Sequence, residues 1–198
     1  MNLPNKLTLS RFGLTVAFLV VMFSGVPFYE TIALALFVAA GISDFLDGQI
    51  ARRRNLITNF GILMDPLADK IMVCSAFIAF VELKWFWAWM TVIIVSRELA
   101  ITGLRLLAAS KNVVLAAEGY GKHKTISQIV AIIAIFVDKI IEQNQWGTVG
   151  QVIFGWHIAN HPWVWWLAES FKWIAVALTF ISGSLYLWKN RALYLNDM

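Results

Sequence analysis

Six apolar stretches, each long enough to form a helix that crosses a lipid bilayer, dominate this sequence. They lie at residues 12–29, 31–52, 60–82, 86–108, 124–141 and 165–188, and short polar breaks separate them. About 20 apolar residues are needed for a helix to span the hydrocarbon core. We therefore expect an all-α, polytopic membrane protein with six transmembrane helices in a single membrane domain that covers residues 1–198.

Within that domain, residues 1–11 are expected to form an N-terminal interfacial segment, 12–188 the six-helix bundle and 189–198 a cytoplasmic tail. Of the 198 residues, 60% are apolar and 14% are charged, whereas soluble domains are about 45–50% apolar and about 25% charged. A large soluble catalytic domain is thereby excluded. A lone cysteine, Cys74, also excludes an intramolecular disulfide.

Positive charge is distributed unevenly along the predicted bundle. With both termini on one side, only Lys84, Lys139 and Lys172 of the 16 Lys and Arg residues fall on or towards the other side. The positive-inside rule then places both termini in the cytoplasm. Residues 143–168 lack charge but contain Gln, Asn, Gly and Pro. They are interpreted as an interfacial segment, with a seventh helix as the open alternative.

Charged residues in four of the predicted helices gather at the cytoplasmic side. A charge inside the bilayer is costly, so intramembrane charges indicate function. We expect a water-filled polar cavity, open to the cytoplasm, that holds the active site. Its charged residues are Asp44 and Asp47, then Asp65, Asp69 and Lys70, then Arg97, Glu98 and Arg105, and finally Lys122 and Lys124.

Two pairs of aspartates carry the strongest chemical signal. Asp44 and Asp47 are three residues apart, and Asp65 and Asp69 are four apart, so each pair shares one helix face. Four carboxylates that meet in a site of low dielectric constant repel one another unless cations neutralise them. Oxygen ligands favour Mg²⁺, Mn²⁺ or Ca²⁺, and paired divalent cations recur in phosphoryl and diphosphate displacement.

The same residues resemble the signature of the CDP-alcohol phosphatidyltransferases. The match comprises eight positions in a window of 26 residues, namely Asp44, Asp47, Gly48, Ala51, Arg52, Gly61, Asp65 and Asp69. The resemblance implies a six-helix membrane enzyme, usually a homodimer, that transfers a phosphatidyl group from CDP-diacylglycerol to an alcohol and releases CMP.

The resemblance also implies roles for individual residues. Two divalent cations, Mg²⁺ or Mn²⁺, would be held by Asp44, Asp47, Asp65 and Asp69. Of these, Asp69 is our choice for the base that takes the proton from the attacking hydroxyl. The residues expected to bind CDP-diacylglycerol are Asn5, Thr8, Gly48, Ala51, Arg52 and Gly61.

The flanking residues look like those of the bacterial phosphatidylglycerophosphate synthases within that family. They are Pro4-Asn5, Thr8 and Arg11, then Ser96-Arg97-Glu98, Gly103-Leu104-Arg105, Gly121-Lys122-His123-Lys124-Thr125 and Gln128. This likeness implies glycerol 3-phosphate as the acceptor. Because that acceptor is dianionic, its pocket needs permanent cations.

Three cations are predicted to bind glycerol 3-phosphate: Arg97, Arg105 and Lys122. Two of them have structural alternatives, because Arg97 can pair with Glu98 and Lys122 can serve as a positive-inside anchor. Lys124 is expected to anchor a phospholipid headgroup. The expected partners are both substrates, membrane phospholipids and a second copy of the chain, with no nucleic acid. The expected location is the bacterial cytoplasmic membrane.

Three other functions share some of these sequence features. A transferase of the same family could use serine, inositol phosphate or phosphatidylglycerol as acceptor. An intramembrane prenyltransferase also has aspartate-rich helices, but it needs a longer chain and different spacing. A cation-coupled transporter would use intramembrane acids, yet the outer half offers only Glu82, Asp138, Lys139 and Glu142 near helix ends, so no through-path is visible.

Overall fold

A computed structural model describes the backbone of residues 3–54, 59–111 and 120–195. Within these ranges it describes all side chains except those of residues 3–8, 44–54, 59–66, 68–69, 110, 120–122, 192 and 195. Six long helices account for most of the chain, and each contains most or all of one predicted apolar stretch. They are α1 Leu3–Phe23, α2 Tyr29–Arg54, α3 Asn59–Glu82, α4 Ala88–Ser110, α5 Tyr120–Glu142 and, after a short helix, α7 Trp163–Lys189.

The first helix and the tail differ from the sequence prediction. Helix α1 begins at Leu3 rather than near residue 12 and ends at Phe23 rather than near residue 29, so the expected interfacial segment continues directly into the first long helix. The expected tail contains a single turn of helix, α8 Ala192–Leu195. It is held against the end of α4, because the Nζ atom of Lys111 donates a hydrogen bond of 3.2 Å to the carbonyl oxygen of Leu193.

Residues 143–168 form a short helix and a small hairpin. Helix α6, Gly147–Phe154, is about 12 Å long, too short for a core about 30 Å thick. Strands β1 His157–Ile158 and β2 His161–Pro162 pair antiparallel, and both residues between them, Ala159 and Asn160, have positive φ angles, as two-residue hairpin loops require. The seventh crossing is therefore not formed.

The long helices pack as a bundle with chemically different ends. Helix α1 contacts α2 and α3, α4 contacts α3 and α7, and α5 contacts α2, α3 and α7. Short connections make packed successive helices antiparallel, so α2 ends where α3 begins. That end is referred to as the charged end, because it carries the aspartate motif. The opposite end, where α1 ends and α2 begins, is referred to as the aromatic end.

A cluster of aromatic rings forms the core towards the aromatic end. The Phe136 ring of α5 lies 5.0 Å from Phe80 of α3 and 6.1 Å from Phe18 of α1, measured between ring centroids. Phe77 and Phe86 pack beside them at 4.9 Å. Edge-to-face contacts of this kind add to the packing energy. They fix α1, α3 and α5 relative to one another.

The outer surface of the bundle is rich in large apolar side chains. Leu99 of α4 is 65% exposed and Phe180 of α7 is 60% exposed, whereas Glu98 and Lys124 are 3% exposed. Within the described ranges, α7 is the one helix both long and apolar enough to cross a membrane, and shorter apolar stretches cover Leu9–Phe23 and Tyr29–Ser43. Apolar surface around buried charge is the reverse of a soluble protein.

We predict that Phe136→Ala destabilises the bundle, because it removes a ring that three helices share. The expected loss is about 3–5 kcal/mol, which corresponds to a fall of roughly 6–20 °C in the midpoint of thermal unfolding in detergent. Phe180→Ala removes an exposed ring and serves as the control, with a change of less than about 2 °C expected. Equal shifts for the two variants would contradict this account of the core.

Candidate active site

The two aspartate pairs lie on continuous helix at the charged end. Asp44 and Asp47 are in the last three turns of α2, and Asp65 and Asp69 are in the first three turns of α3. The backbone therefore supports the same-face spacing expected of each pair, and α2 contacts α3. The four side chains lie outside the described residues, so their ligand roles and the base role of Asp69 stay predictions.

The residues predicted to bind CDP-diacylglycerol come to the same end. Asn5 and Thr8 lie in the first two turns of α1, which packs against α2 and α3. Gly48, Ala51 and Arg52 follow the first aspartate pair on α2, and Gly61 precedes the second on α3. The side chains of the non-glycine residues in this group also lie outside the described part of the structure.

The donor set suits hard divalent cations. Four carboxylates on two contacting helices supply the oxygen ligands that Mg²⁺ and Mn²⁺ prefer. Among the described side chains, no three His, Cys, Asp or Glu residues gather as metal ligands. His157 and His161, four residues apart, lie on the hairpin, where His161 stacks on Trp165 at 4.1 Å. The four aspartates therefore remain the candidates for holding metal.

A buried ion cluster lies beside this motif and joins three helices. Its centre is the carboxylate of Glu98 on α4, 3% exposed. The Nζ atom of Lys70, on α3, is 3.3 Å from Oε2 of Glu98, and Nη1 of Arg97 is 3.4 Å from Oε1. The ammonium of Lys124, on α5, also binds Oε1. These four residues are referred to as the Glu98 cluster.

Hydrogen bonds extend the cluster to the fourth helix around it, α7. Nε2 of Gln128, on α5, lies 2.9 Å from Oγ1 of Thr179 on α7 and 3.5 Å from Oε1 of Glu98. The Thr102 hydroxyl donates to the backbone carbonyl oxygen of Glu98 at 2.7 Å. Buried polar groups are costly unless they are paired, and here the pairing determines how α4, α5 and α7 meet.

Arg97 lies against a glycine of the neighbouring helix. A Cβ atom at Gly183 of α7 would be 2.7 Å from Cγ of Arg97, so only glycine leaves room for the stem of the arginine there. Nε of Arg97 is buried and has no hydrogen-bond partner among the described residues. The side chain borders a mostly apolar cavity of about 310 Å³ between α4 and α7. Arg97 thus keeps a free donor in a confined position.

Arg105 occupies a separate place, two helical turns nearer the charged end. Its Nε donates a hydrogen bond of 3.4 Å to the Tyr186 hydroxyl on α7, and its guanidinium carbon lies 5.7 Å from that ring's centroid. The guanidinium is therefore oriented although the side chain is exposed. Lys122, the third predicted acceptor cation, lies in the first turn of α5, and its side chain is outside the described set.

Two interpretations change with these contacts. The prediction that Lys124 anchors a lipid headgroup is wrong, because this lysine is buried against Glu98. Arg97 pairs with Glu98, as the structural alternative for this residue expected. Its Nε nevertheless has no hydrogen-bond partner among the described residues. Sequence reasoning missed the central place of Glu98. The sequence does contain a sign of this role. Glu98 is the only acidic residue in α4, and it lies near the middle of that helix, as Lys70 does in α3.

A second buried acid, at the aromatic end, was also missed. Glu30 is fully buried and accepts hydrogen bonds from the side-chain amides of Gln143 and Gln145. Thr31 donates to Oε1 of Gln145 at 2.8 Å, which connects the start of α2 to the turn after α5. This group is paired locally, far along the helices from the Glu98 cluster.

Comparison with known proteins agrees with the motif. The model of the family described as CDP-alcohol phosphatidyltransferase matches residues 1–181. The chain belongs to this family. Among curated members, the CDP-diacylglycerol–glycerol-3-phosphate 3-phosphatidyltransferase of Bacillus subtilis (strain 168) is 36% identical over 96% of this chain and 95% of its own length.

Two further relatives carry the same printed name. The protein of Rickettsia bellii (strain RML369-C) is 31% identical and covers 93% of each chain. That of Cereibacter sphaeroides (strain ATCC 17023) is 30% identical over 99% of this chain and 98% of the relative. The similarity to each of these relatives therefore extends over nearly the whole length of both chains.

We predict that Lys124→Met destabilises the protein by about 1–3 kcal/mol. Removing one partner of a buried ion pair costs about 3–5 kcal/mol when the other charge is left alone, and Lys70 and Arg97 reduce that cost here. Lys84→Met is the control, because Lys84 is exposed and surface substitutions change stability by about 0.5 kcal/mol or less. Thermal unfolding of both purified variants in detergent measures the difference, and comparable losses would refute it.

Proposed function

We propose that the protein transfers the phosphatidyl group of CDP-diacylglycerol to the 1-hydroxyl of sn-glycerol 3-phosphate, yielding phosphatidylglycerophosphate and CMP. The printed names of the relatives favour glycerol 3-phosphate, and one observation in the structure supports an acceptor that carries a phosphate. Lys70, which directly follows the motif residue Asp69, belongs to the same buried cluster as Arg97 and Lys124. The cluster therefore places positive charge next to the aspartate motif, where the phosphate of a dianionic acceptor is expected to bind.

CDP-diacylglycerol is proposed to bind from the inner leaflet of the bacterial cytoplasmic membrane. Its acyl chains remain in the lipid, and its diphosphate reaches the charged end of the bundle. Arg52 is assigned to a phosphate, while Asn5, Thr8, Gly48, Ala51 and Gly61 contact the rest of the CDP headgroup. The apolar outer surface of α4 and α7 supports a bundle of membrane-crossing helices. The distribution of Lys and Arg supports termini and an active site in the cytoplasm, and family membership supports a homodimer.

Asp44, Asp47, Asp65 and Asp69 are proposed to hold two divalent cations, Mg²⁺ or Mn²⁺. When bound, such a pair neutralises charge on the diphosphate and on the departing CMP.

Asp69 is proposed to accept the proton of the 1-hydroxyl of glycerol 3-phosphate. The hydroxyl oxygen forms a bond to the phosphorus nearest the diacylglycerol, and the bond from that phosphorus to the bridging oxygen breaks. CMP leaves with the bridging oxygen and the electron pair of the broken bond. Because both substrates can lie at one site, no covalent intermediate on the protein is needed.

Arg97, Arg105 and Lys122 are proposed to bind the phosphate of the acceptor. Arginine suits this role because its planar guanidinium donates two parallel hydrogen bonds to phosphate oxygens. Nε of Arg97, which has no partner among the described side chains, lies deep in the bundle, and Arg105 lies two turns nearer the cytoplasm. This arrangement gives the acceptor cationic contacts along its way from the cytoplasm to the aspartates.

A panel of acceptors tests the proposal. Purified protein with labelled CDP-diacylglycerol and Mg²⁺ is offered glycerol 3-phosphate, serine, inositol phosphate or phosphatidylglycerol, and release of CMP is measured. We expect release with glycerol 3-phosphate alone, its loss with EDTA and its recovery with Mg²⁺ or Mn²⁺. If CMP is released with another acceptor and not with glycerol 3-phosphate, that other compound is the acceptor and the proposal is wrong.

We predict that Arg105→Ala raises the KM for glycerol 3-phosphate by about 10- to 100-fold, because a charge-assisted hydrogen bond contributes about 1.5–3 kcal/mol. Steady-state release of CMP at varied acceptor concentration measures it. Arg191→Ala is the control, since this exposed arginine at the same end stacks on Trp188 at 4.5 Å and has no proposed contact with substrate. An unchanged KM in Arg105→Ala would remove Arg105 from the acceptor pocket.

A further inference from the structure

Glu98 holds a position that the proposed reaction does not explain. Its carboxylate is buried and bound by cations from three helices, yet as an anion it repels the phosphate of a substrate. An acid at the back of an anion-binding site must therefore act on the cations rather than on the ligand.

Charge balance indicates what that action is. Lys70, Arg97 and Lys124 carry three positive charges, and Glu98 carries one negative charge, so the cluster has a net charge of about +2. Like charges held close together inside a protein repel one another strongly, and flexible lysine stems would let them move apart. A shared carboxylate keeps the three cations together while leaving enough positive charge to attract a dianion.

The side chain of Arg97 is restrained from two directions. Nη1 is held by Glu98 at 3.4 Å, and the stem lies in the space left by Gly183. Nε is then presented without a partner among the described residues. Lys70, with 25% of its side chain exposed, is the most accessible of the three cations. Both groups keep donors that Glu98 does not use.

We propose that Glu98 is a positioning residue of the acceptor site, which holds Lys70, Arg97 and Lys124 in the arrangement that binds the phosphate of glycerol 3-phosphate. The inference rests on the proposed function, because it names a further determinant of the same site. Glu98 touches neither substrate, and it acts through the cations that it binds.

Kinetics of Glu98→Gln test the proposal, because glutamine keeps the size of the side chain and removes its charge. We expect the KM for glycerol 3-phosphate to rise about tenfold or more, the effect of weakening one charge-assisted hydrogen bond, with the KM for CDP-diacylglycerol changed less than about twofold. Glu98→Asp restores the charge on a shorter stem and should recover part of the acceptor affinity.

Glu30→Gln is the matched control. Glu30 is equally buried and paired, but it lies at the aromatic end. A purely structural role for Glu98 predicts the same result for both Gln variants, namely less active protein with unchanged KM values. That result would overturn the proposal.

A second variant displaces the Arg97 side chain without altering Glu98. Gly183→Ala places a Cβ atom 2.7 Å from Cγ of Arg97 and should also raise the KM for glycerol 3-phosphate. In Gly103→Ala, by contrast, the new Cβ meets nothing within 4 Å and should leave the KM unchanged. If Glu98→Gln fails to fold, Gly183→Ala decides, and a normal acceptor KM in that variant rejects the inference.

The wild-type protein separates this inference from the proposed function. Absence of CMP release with glycerol 3-phosphate in the wild type rejects the function itself. Release by the wild type together with unchanged acceptor KM values in the Glu98 variants rejects only the positioning role.

Discussion

Burying charge inside an apolar bundle is the constraint on which this structure depends. Glu98, Lys70 and Lys124 come from three different helices, and each would be costly alone in a medium of low dielectric constant. Pairing them offsets that cost and at the same time determines the depth at which α3, α4 and α5 meet. The Gln128–Thr179 hydrogen bond extends the same constraint to α7.

The two ends of the bundle are held together by different interactions. Towards the aromatic end, rings such as Phe80 and Phe136 pack without polar partners and fix α3 against α5. Towards the charged end, the helices meet through ion pairs that a substrate phosphate can share. Apolar packing at one end therefore supports a cationic site at the other, which suits an enzyme that binds a lipid and a water-soluble acceptor together.

The charges of the site also explain why the helices differ so much in apolar character. Helix α7 is long and apolar enough to cross a membrane, and it supplies neutral groups such as Thr179 and Gly183. Helix α4 carries Arg97, Glu98 and Arg105 within 23 residues. Its apolar residues lie both on the exposed face, as Leu99 shows, and in the core, as Ile94 shows. Helix α4 therefore places its three charges among apolar side chains.

Much of the fold and part of the site could be predicted from the sequence. Apolar length is a local property, so five of the six long helices were expected close to their observed bounds, and the spacing from Asp44 to Asp69 identified the family. The start of α1 at Leu3 was not expected, because a polar first turn can continue a helix without any break signal. The hairpin at Ala159 and Asn160 lacks glycine, the usual sign of positive φ angles.

Sequence alone determined the helices, the charged end and the aspartate motif, because each depends on residues that are near one another in the chain. Only the tertiary structure decided that Lys124 binds Glu98 rather than a lipid, that Gly183 makes room for Arg97 and that Tyr186 orients Arg105. These pairs are 26 to 86 residues apart. Such contacts depend on how far each helix is rotated and shifted against its neighbours, which no local pattern specifies.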